Sequence, residues 1–541
     1  MMPPSQGGIW YMRSIGVCAA AAGLIMAAGC NVATAESVTV QTVEGPVAGN
    51  LGGDLTSFLG IPYAAPPVGD LRFRAPAPHA PWAEPLQANT YGSPCPQSAR
   101  LGSPSTNEDC LFLNVWAPPQ GSGHPVLVFI HGGSFNAGSG GAVAGGPDYS
   151  GADIAAKSGA VVVTINYRLG ILGFLAAAAL DAETAGHVSG NYGLLDQQAA
   201  LGWVHRNIAA FGGDAGNVTL FGESAGGISI LYQLVSPGAA GLFQHAIVES
   251  ANDGTTLPLD VAETVETPIL KALGCDAADT GCLRRVPVED IIKSGLNAGP
   301  PVDGHTVPRQ PVAAFADGHF QHVPVIVGTN ATEGTYFLAV AARSVQRPLT
   351  QADYEAIIRT NYPGAAVKRI EAAYPIDGYS SPGQALAAIE TDSFFACPSD
   401  AVRLALAEQV PVFGYEFTQA APVHNFPLPE PFGIGLGQAH TTELAYVFGH
   451  DGDGAPLRGG DLALSDRMIG YWGSLAAGGN PNGAEAAADG VSWPRYRPGE
   501  ARILSLGTPV EAGAGFAQSH HCALWQSLGY PQKLLLSVPK T

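Results

Sequence analysis

Apolar runs rich in β-branched residues recur along this chain, and helical patterns fall between several of them. Near-continuous runs of valine and isoleucine are typical of strands that are buried on both faces, and such strands belong to parallel sheets covered by helices. Helical periodicity is clearest over residues 196–211 and 226–234. The predicted strands lie at residues 126–130, 160–167, 218–221, 246–248, 323–327 and 410–417. We therefore predict an α/β fold with a central, mostly parallel sheet and helices on both of its faces.

The N-terminal residues have the pattern of an export signal. Arg13 precedes an apolar run from Ile15 to Ala28, which is too short for a confident membrane span and suits the apolar region of a signal peptide. The small residues at 33–35 suit cleavage, so we predict a signal peptide over residues 1–35, with Met12 as an alternative start. Cys30 follows Ala-Ala-Gly and offers the alternative of a lipid anchor. The chain is thus predicted to be exported, as a secreted or periplasmic protein or in a lipid-anchored form.

Length and charge narrow the class of protein. The chain has 541 residues, 46% of them hydrophobic, which is enough for a large core. No linker or internal repeat divides residues 36–541, so we predict a single domain there. The formal net charge of −20 repels phosphate backbones, which argues against nucleic acid as a partner.

The cysteines fit an exported chain. Two of the eight lie in the leader, which leaves an even number that suggests disulfides. The six are Cys95, Cys110, Cys275, Cys282, Cys397 and Cys522. Six cysteines allow fifteen pairings, and spacing alone does not select one. A structural zinc site is not predicted, since the sequence contains neither C-x-x-C nor H-E-x-x-H.

One serine stands between a predicted strand and a predicted helix. Ser224 lies within Gly-Glu-Ser-Ala-Gly at 222–226, the single G-x-S-x-G of the sequence. A tight turn after a strand lifts a hydroxyl out of the sheet, and flanking glycines avoid collisions with the neighbouring strand and helix. The start of the following helix also directs N–H groups toward developing negative charge. The pattern predicts that Ser224 is a catalytic nucleophile.

The remaining parts of a hydrolytic site have candidates elsewhere in the chain. The loop after the strand in VFIHGGSFNAG (128–138) can direct backbone N–H groups at an oxyanion, together with the N–H of Ala225. An acid and a base would follow Ser224, and Glu333, just after a buried strand, suits the acid. His440, in a glycine-flanked loop before an apolar helix, suits the base. Four other histidines compete with it: His424, His450, His520 and His521.

Five segments together resemble the type-B carboxylesterase family, which includes lipases, cholinesterases and the non-catalytic neuroligins. The resemblance spans nearly the whole chain after the leader. The segments are FLGIPYAAPPVGDLRFRAP (58–76), NEDCLFLNVWAP (107–118), FGGDAGNVTLFGESAGG (211–227), GTNATEG (328–334) and GQAHTTELAYVFG (437–449). Two departures are mild: Ala215 stands where the family usually has proline, and Ser134 where it usually has glycine or alanine. The family implies the α/β-hydrolase fold with large loop and helical insertions, and a bacterial enzyme similar to para-nitrobenzyl esterases.

The resemblance also implies roles for individual residues. Ser224 would be the nucleophile, Glu333 the acid and His440 the base, with an acyl-enzyme intermediate and no metal or cofactor. The oxyanion donors would be the N–H groups of Gly133, Ser134 and Ala225. The resemblance implies three disulfides: Cys95–Cys110, Cys275–Cys282 and Cys397–Cys522. It implies two ion pairs, Arg72–Glu108 and Arg168–Asp196. It also implies that Glu223 and Ser250 are supporting polar groups.

Several activities stay open at this stage. A neuroligin-like binding protein would lack triad residues, which are all present here. A cholinesterase-type cation site would need a tryptophan between the first two of the six cysteines, and that loop has none. The stretch that would form a lipase lid is brief, so we predict hydrolysis of small to medium esters, with feruloyl, tannin or mycotoxin esters as specialised alternatives. The pair Phe394-Phe395 and Phe135 either line an acyl pocket or pack in the core. We expect a monomer or a weak oligomer.

Overall fold

The computed structural model describes most of the chain after the leader. The described residues are 36–52, 55–99, 104–141, 148–184, 186–424, 431–452, 454–483, 491–531 and 533–535. The predicted signal peptide, the start at Met12 and the lipid anchor at Cys30 lie outside these residues. The chain from Glu36 onward forms one compact unit by its internal contacts.

One large sheet organises the described residues. Its strands are β1 (Glu36–Gln41), β2 (Pro46–Gly52), β3 (Leu55–Pro62), β4 (Leu86–Gln87), β5 (Phe112–Ala117), β6 (His124–Ile130), β7 (Val161–Ile165), β8 (Gly213–Glu223), β9 (His245–Glu249), β10 (Val325–Asn330), β11 (Val412–Phe417), β12 (Ile503–Leu506) and β13 (Glu511–Gly513). They are ordered β1-β2-β3-β5-β7-β6-β8-β9-β10-β11-β12-β13, and β4 pairs with β2. All pairings from β7 through β12 are parallel. This part of the sheet contains all six strands that the sequence predicts.

Antiparallel strands extend both edges of the parallel region. Strands β1, β2, β3 and β5 pair antiparallel with one another in turn, and β5 pairs antiparallel with β7. At the other edge β13 pairs antiparallel with β12. The sequence analysis does not predict these strands. The predicted strand at 323–327 begins two residues later, at Val325, because Pro324 has no N–H to donate to a neighbouring strand.

Helices cover the sheet and form the insertions. The helices are α1 (Ala152–Ser158), α2 (Gly170–Phe174), α3 (Ala178–Asp181), α4 (Tyr192–Asn207), α5 (Ala225–Val235), α6 (Leu259–Ala272), α7 (Thr280–Arg285), α8 (Val288–Lys293), α9 (Pro311–Ala316), α10 (Gly334–Val345), α11 (Gln351–Asn361), α12 (Gly364–Ala373), α13 (Pro382–Glu390), α14 (Cys397–Ala407), α15 (Leu444–Phe448), α16 (Gly459–Gly478), α17 (Phe516–Ser519) and α18 (Cys522–Leu528). Short 3-10 helices occupy Gly69–Leu71, Ile208–Phe211, Pro237–Ala239 and Ile376–Gly378, and a π-helix occupies Thr391–Ala396.

The central strands are buried on both faces. In β6, Val126, Val128 and Ile130 pack into one apolar cluster, whereas Leu127 and Phe129 pack into another. Successive side chains of a strand point to opposite faces, so these two clusters lie on the two sides of the sheet. The prediction of helices on both faces is confirmed. A further cluster joins residues of α10 to α14 with Trp525 of α18.

Covalent bonds and ion pairs fix the connections between elements. The structure contains the disulfides Cys95–Cys110, Cys275–Cys282 and Cys397–Cys522. It also contains both implied ion pairs: Arg72 bonds to Glu108, and the guanidinium of buried Arg168 lies 2.7 Å from each carboxylate oxygen of Asp196. Among the residues that the structure describes, no helix is long and apolar enough to cross a membrane.

Candidate active site

The corner at Ser224 is a strained turn between two regular elements. Strand β8 ends at Glu223 and helix α5 begins at Ala225, so Ser224 is the single residue between them. Its φ of 56° and ψ of −121° lie in a region that residues with a side chain rarely adopt. The Ser224 N–H donates to the carbonyl of Glu249 at 2.9 Å, which ties the corner to the end of β9. The strain is therefore held in place by the sheet itself.

The glycines around Ser224 are required by close packing of backbones. A Cβ atom added to Gly226 would lie 1.9 Å from the carbonyl oxygen of Ile130, and one added to Gly222 would lie 2.7 Å from the same oxygen. At Gly227 the added atom would lie 2.8 Å from the Glu249 carbonyl oxygen. Helix α5 can thus start against β6 and β9 only because these positions lack side chains.

The loop after β6 lies directly against this corner. A Cβ atom at Gly132 would be 3.0 Å from the Ser224 Cβ. The next residues, Gly133, Ser134 and Phe135, have φ values of 108°, 55° and 59°. Such consecutive left-handed residues turn backbone N–H groups toward one concavity. Within the described part of the chain, no hydrogen bond uses the N–H groups of Gly133, Ser134 or Ala225.

His131 supports the same loop, a role the sequence analysis did not predict. Its buried ring stacks on Tyr167 with 4.4 Å between ring centroids, and its Nδ1 lies 2.8 Å from the Gly132 carbonyl oxygen. Burial lowers the pKa of His131 to about 4, so the ring is neutral at physiological pH. A neutral ring that donates from Nδ1 to Gly132 holds the loop without adding charge near the corner.

The structure joins the predicted acid and base by a short hydrogen bond. His440 Nδ1 lies 2.6 Å from Glu333 Oε2, and both side chains are buried. The other oxygen of Glu333 accepts the hydroxyl of Thr329 at 2.9 Å and the N–H of Asn330 at 2.7 Å. These bonds fix the carboxylate, which in turn fixes the orientation of the imidazole ring.

The other side of the His440 ring faces the residue next to Ser224. Its Nε2 lies 3.1 Å from Glu223 Oε1. Burial raises the pKa of Glu223 well above its ordinary value, and the carboxyl groups of Glu443, Glu333 and Glu249 raise it further. Its surroundings therefore disfavour the charged form of the Glu223 carboxyl group beside the His440 ring.

A cluster of buried glutamates lies beneath the site. Burial also raises the pKa of Glu249, whose Oε1 accepts the indole N–H of Trp472 at 2.6 Å. Glu443 has its pKa raised to about 7, chiefly by burial, and accepts the hydroxyl of Ser250 at 3.2 Å. Ser250 and Glu223, the supporting polar groups that the family resemblance implies, both lie in this buried cluster. Glu249 and Glu443 were not predicted, although an acid ending an apolar strand was a signal for Glu249.

Aromatic rings enclose His440. The rings of Phe337 and Phe395 each lie 4.9 Å from the His440 ring, and they stack on each other at 5.4 Å. Phe394 packs edge-on against Phe395 at 5.0 Å. Phe135, the third predicted aromatic, packs against Phe174 at 5.2 Å. Only Phe395 of the three predicted aromatic residues makes a described ring contact with His440.

The four competing histidines have other partners. His520 lies between Asp392 and Glu416, and the ring of His521 packs against Tyr374. His450 Nδ1 lies 3.1 Å from the Asp451 carbonyl oxygen, and the His424 carbonyl accepts the N–H of Gly452. No contact within the described ranges joins these four to Glu333. The same ranges hold no group of three or more acidic, histidine or cysteine side chains arranged for a metal ion.

Comparison with known proteins decides the family. The model of the carboxylesterase family matches residues 36–525. The chain belongs to the carboxylesterase family. The segments that match include the corner at Ser224, the Glu333 loop and the His440 loop.

Two bacterial esterases are similar to this carboxylesterase. It is 36% identical over 508 residues to the fumonisin B1 esterase of Sphingopyxis macrogoltabida, with 88% of each chain covered. It is 35% identical over 496 residues to the para-nitrobenzyl esterase of Bacillus subtilis, covering 87% of this chain and 95% of the relative. The carboxylesterase is therefore a serine carboxylic ester hydrolase that acts on small-molecule esters.

A solved structure supports the same fold. The structure of a thermophilic PNB esterase superposes with a TM-score of 0.77 at 33% identity, covering 90% of this chain and 99% of that one. The carboxylesterase has the α/β-hydrolase fold, as the sequence predicts.

Proposed function

We propose that this carboxylesterase hydrolyses esters through a triad of Ser224, Glu333 and His440. The observation that carries the proposal is the buried hydrogen bond of 2.6 Å between His440 Nδ1 and Glu333 Oε2. That bond occupies Nδ1, so we assign proton exchange with Ser224 to Nε2, whose described neighbour is Glu223 Oε1 at 3.1 Å. The strained strand-to-helix corner at Ser224 supports the choice of nucleophile, because such a corner exposes Oγ to an approaching carbonyl.

The proposed reaction proceeds in two stages. In the first, His440 Nε2 accepts the proton of Ser224 as Oγ attacks the ester carbonyl, and the proton then passes to the departing alcohol. Glu333 holds the ring and stabilises its positive charge. In the second stage a water molecule gives its proton to His440 and attacks the acyl-enzyme, which releases the acid and restores the serine hydroxyl.

The oxyanion of each tetrahedral intermediate would be held by backbone donors. We assign this role to the N–H groups of Gly133, Ser134 and Ala225. Their support is the left-handed loop at 133–135, its contact with the Ser224 corner, and the lack of other described acceptors for these groups. Donors already fixed before the reaction stabilise developing charge without reorganising.

We propose small to medium esters as the preferred substrates. The likeness to a para-nitrobenzyl esterase favours this class. The likeness to a fumonisin B1 esterase favours a second candidate, a bulkier mycotoxin-type ester. We propose a monomer or a weak oligomer, and an exported protein, secreted or periplasmic; three disulfides suit an oxidising compartment.

A burst assay with p-nitrophenyl esters, from acetate to laurate, tests the proposal. The wild-type protein should hydrolyse the esters, and Ser224→Ala should fold normally yet lose activity by about three to six orders of magnitude, as removal of a triad member does. The burst amplitude counts active sites, and the profile of rates against chain length measures the acyl pocket. Near-wild-type activity in folded Ser224→Ala would contradict the proposed mechanism.

A further inference from the structure

A π-helix interrupts the helical segment that is formed by α13 and α14. Residues Thr391–Ala396 adopt π-helical turns between α13 and α14. A π-helical turn is wider than an α-helical turn, is rare, and redirects the side chains that follow it. Three side chains of this π-helix make contacts that bear on the site, and each has a different partner.

Thr391 contacts the chain immediately after the proposed acid. The N–H of Gly334, the first residue of α10, donates to Thr391 Oγ1 at 2.9 Å, and the Thr391 hydroxyl donates to the Ala387 carbonyl oxygen at 2.8 Å. A Cβ atom at Gly334 would lie 2.2 Å from that same carbonyl oxygen. The end of α13 and the start of α10 are therefore in close contact, and Thr391 fixes the peptide that follows Glu333.

Phe395 contacts the proposed base. Its ring is 3% exposed and lies 4.9 Å from the His440 ring at an interplanar angle of 46°. Because Phe395 also stacks nearly parallel to Phe337, at 16°, it is not free to move away from His440. A fixed aromatic ring at this distance limits the tilt of the imidazole.

Asp392 anchors the π-helix from its other side. One carboxylate oxygen accepts the hydroxyl of Tyr374 at 2.7 Å, and the other lies 2.6 Å from Nδ1 of His520. The next residue after the π-helix, Cys397, forms the disulfide with Cys522. The C-terminal segment thus holds the π-helix in register with α10 and with His440.

We propose that the π-helix Thr391–Ala396 is a positioning element for the pair Glu333–His440, with Thr391 fixing the acid and Phe395 fixing the base. The inference rests on the proposed function, since it assumes that this pair serves catalysis. Neither residue touches the reacting atoms, so both act through the pair. An alternative role for Phe395 is to line the acyl pocket. That role predicts a change in chain-length preference.

Steady-state kinetics of four variants test the proposal. Thr391→Val removes the hydroxyl at nearly constant volume, Thr391→Ser restores it, and Phe395→Leu removes the ring. Leu386→Ala is the matched control, because Leu386 is equally buried in α13 and packs in the same cluster without a described contact to the pair. Burst amplitude normalises every rate to the number of competent sites, so partial misfolding does not count as lost activity.

The expected result separates positioning from packing and from substrate contact. Thr391→Val and Phe395→Leu should each lower kcat about tenfold for every ester from acetate to laurate, with KM nearly unchanged, and Thr391→Ser should recover most of the rate. The carboxyl groups of Glu333, Glu223 and Glu443 that face His440 remain in all variants.

Other outcomes would overturn the inference. A changed chain-length preference in Phe395→Leu would mean that Phe395 lines the acyl pocket instead of positioning His440. If Thr391→Val and Phe395→Leu lose no more activity than Leu386→Ala, both residues contribute only core packing. Ser224→Ala, measured alongside, tests the triad separately: if it stays active, the proposed function fails whatever the π-helix variants do.

Discussion

At the scale of single residues, the site depends on places where no side chain fits. Three backbones converge at the Ser224 corner: the end of β6, the start of α5 and the end of β9. The conformation of Ser224, the proposed nucleophile, is strained, and strain of this kind persists only when the surroundings over-determine it. The glycines therefore support the proposed site by allowing packing that holds Ser224 in place.

Gly226→Ala should be strongly destabilising. The added methyl would lie 1.9 Å from the Ile130 carbonyl oxygen, which belongs to the backbone of a central strand and cannot yield. We expect a loss of several kcal/mol in the free energy of unfolding, as for other overpacked core positions. Thermal unfolding followed by circular dichroism measures it.

Gly470→Ala is the matched control. Gly470 lies inside α16, and a Cβ atom there meets nothing within 4 Å. Since alanine is the better helix former, this variant should gain about 0.5–1 kcal/mol. Equal melting temperatures for the two variants would contradict the packing argument at Gly226.

At the scale of elements, the sequence predicts those parts whose own pattern determines them. The sequence predicts strand β8, the corner and helix α5, because an apolar run, glycines and a second apolar run follow one another directly. Strand β2, which reads PVAGNLG, has no such pattern, and its place in the sheet depends on partners distant in sequence. The π-helix has no readable signal either, because tertiary contacts stabilise it.

The residues of the candidate site also differ in how far their own sequence pattern predicts them. Glu333 follows a recognisable strand and His440 precedes a recognisable helix, so both could be proposed from local pattern. The resemblance to a family then chose among the histidines. The pairing of Glu249 with Trp472 joins residues 223 positions apart, and nothing local predicts it. The sequence around His131 indicates only a glycine turn. Its supporting role was missed because its stacking on Tyr167 is seen only in the three-dimensional structure.

His520→Gln tests how one ion cluster joins elements. Burial alone would lower the pKa of His520, but hydrogen bonds to Asp392 and Glu416 outweigh it and raise the pKa to about 10. The charged ring therefore joins the C-terminal segment to the π-helix and to β11. Its stabilisation is complete below pH 6.5, the value for the unfolded chain, and is lost as the pH rises toward 10. The shift corresponds to a contribution on the order of 5 kcal/mol at low pH.

The measurement is urea unfolding of wild type and His520→Gln from pH 6 to pH 10. The variant should be much less stable at pH 6, and the difference should shrink toward pH 10. His521→Gln is the control, because the neighbouring ring packs on Tyr374 and makes no described ion pair. A difference that does not change with pH would mean that the imidazole stabilises by packing alone.

At the scale of the whole molecule, buried acids alter the balance of charge. The formal net charge of −20 counts every acidic group as ionised. Burial raises the pKa of Glu223 and Glu249 well above the ordinary range, of Glu443 and Glu266 to about 7, and of Glu390 to about 8. The folded protein at pH 7 is therefore less negative than its composition indicates.

These acids predict that the protein is most stable in mildly acidic solution. A folded state that keeps protons which the unfolded chain has released loses stability as pH rises, by about 1.4 kcal/mol per pH unit for each such proton. The window runs from pH 4.5, the value in the unfolded chain, to pH 7–8, where the folded groups ionise. Melting temperature should therefore fall steadily from pH 5 to pH 8.

Glu390→Gln provides the check on this slope. The amide keeps the shape of the carboxyl group and its acceptor for the Leu535 N–H, but it does not titrate. The variant should show a shallower decline above pH 5 and should be the more stable protein at pH 8. An unchanged slope would remove Glu390 from the groups that hold a proton in the folded state.

The bond between Cys397 and Cys522 sets an order of events during biosynthesis. The other two disulfides join cysteines 15 and 7 positions apart, so each can close as soon as its short segment has been made. Cys397 must wait until 125 further positions have been synthesised. The π-helix next to Cys397 is therefore secured after the other two disulfides can form, and a chain that stops before Cys522 cannot secure it. Synthesis of the segment that carries Cys522 thus precedes completion of the proposed site.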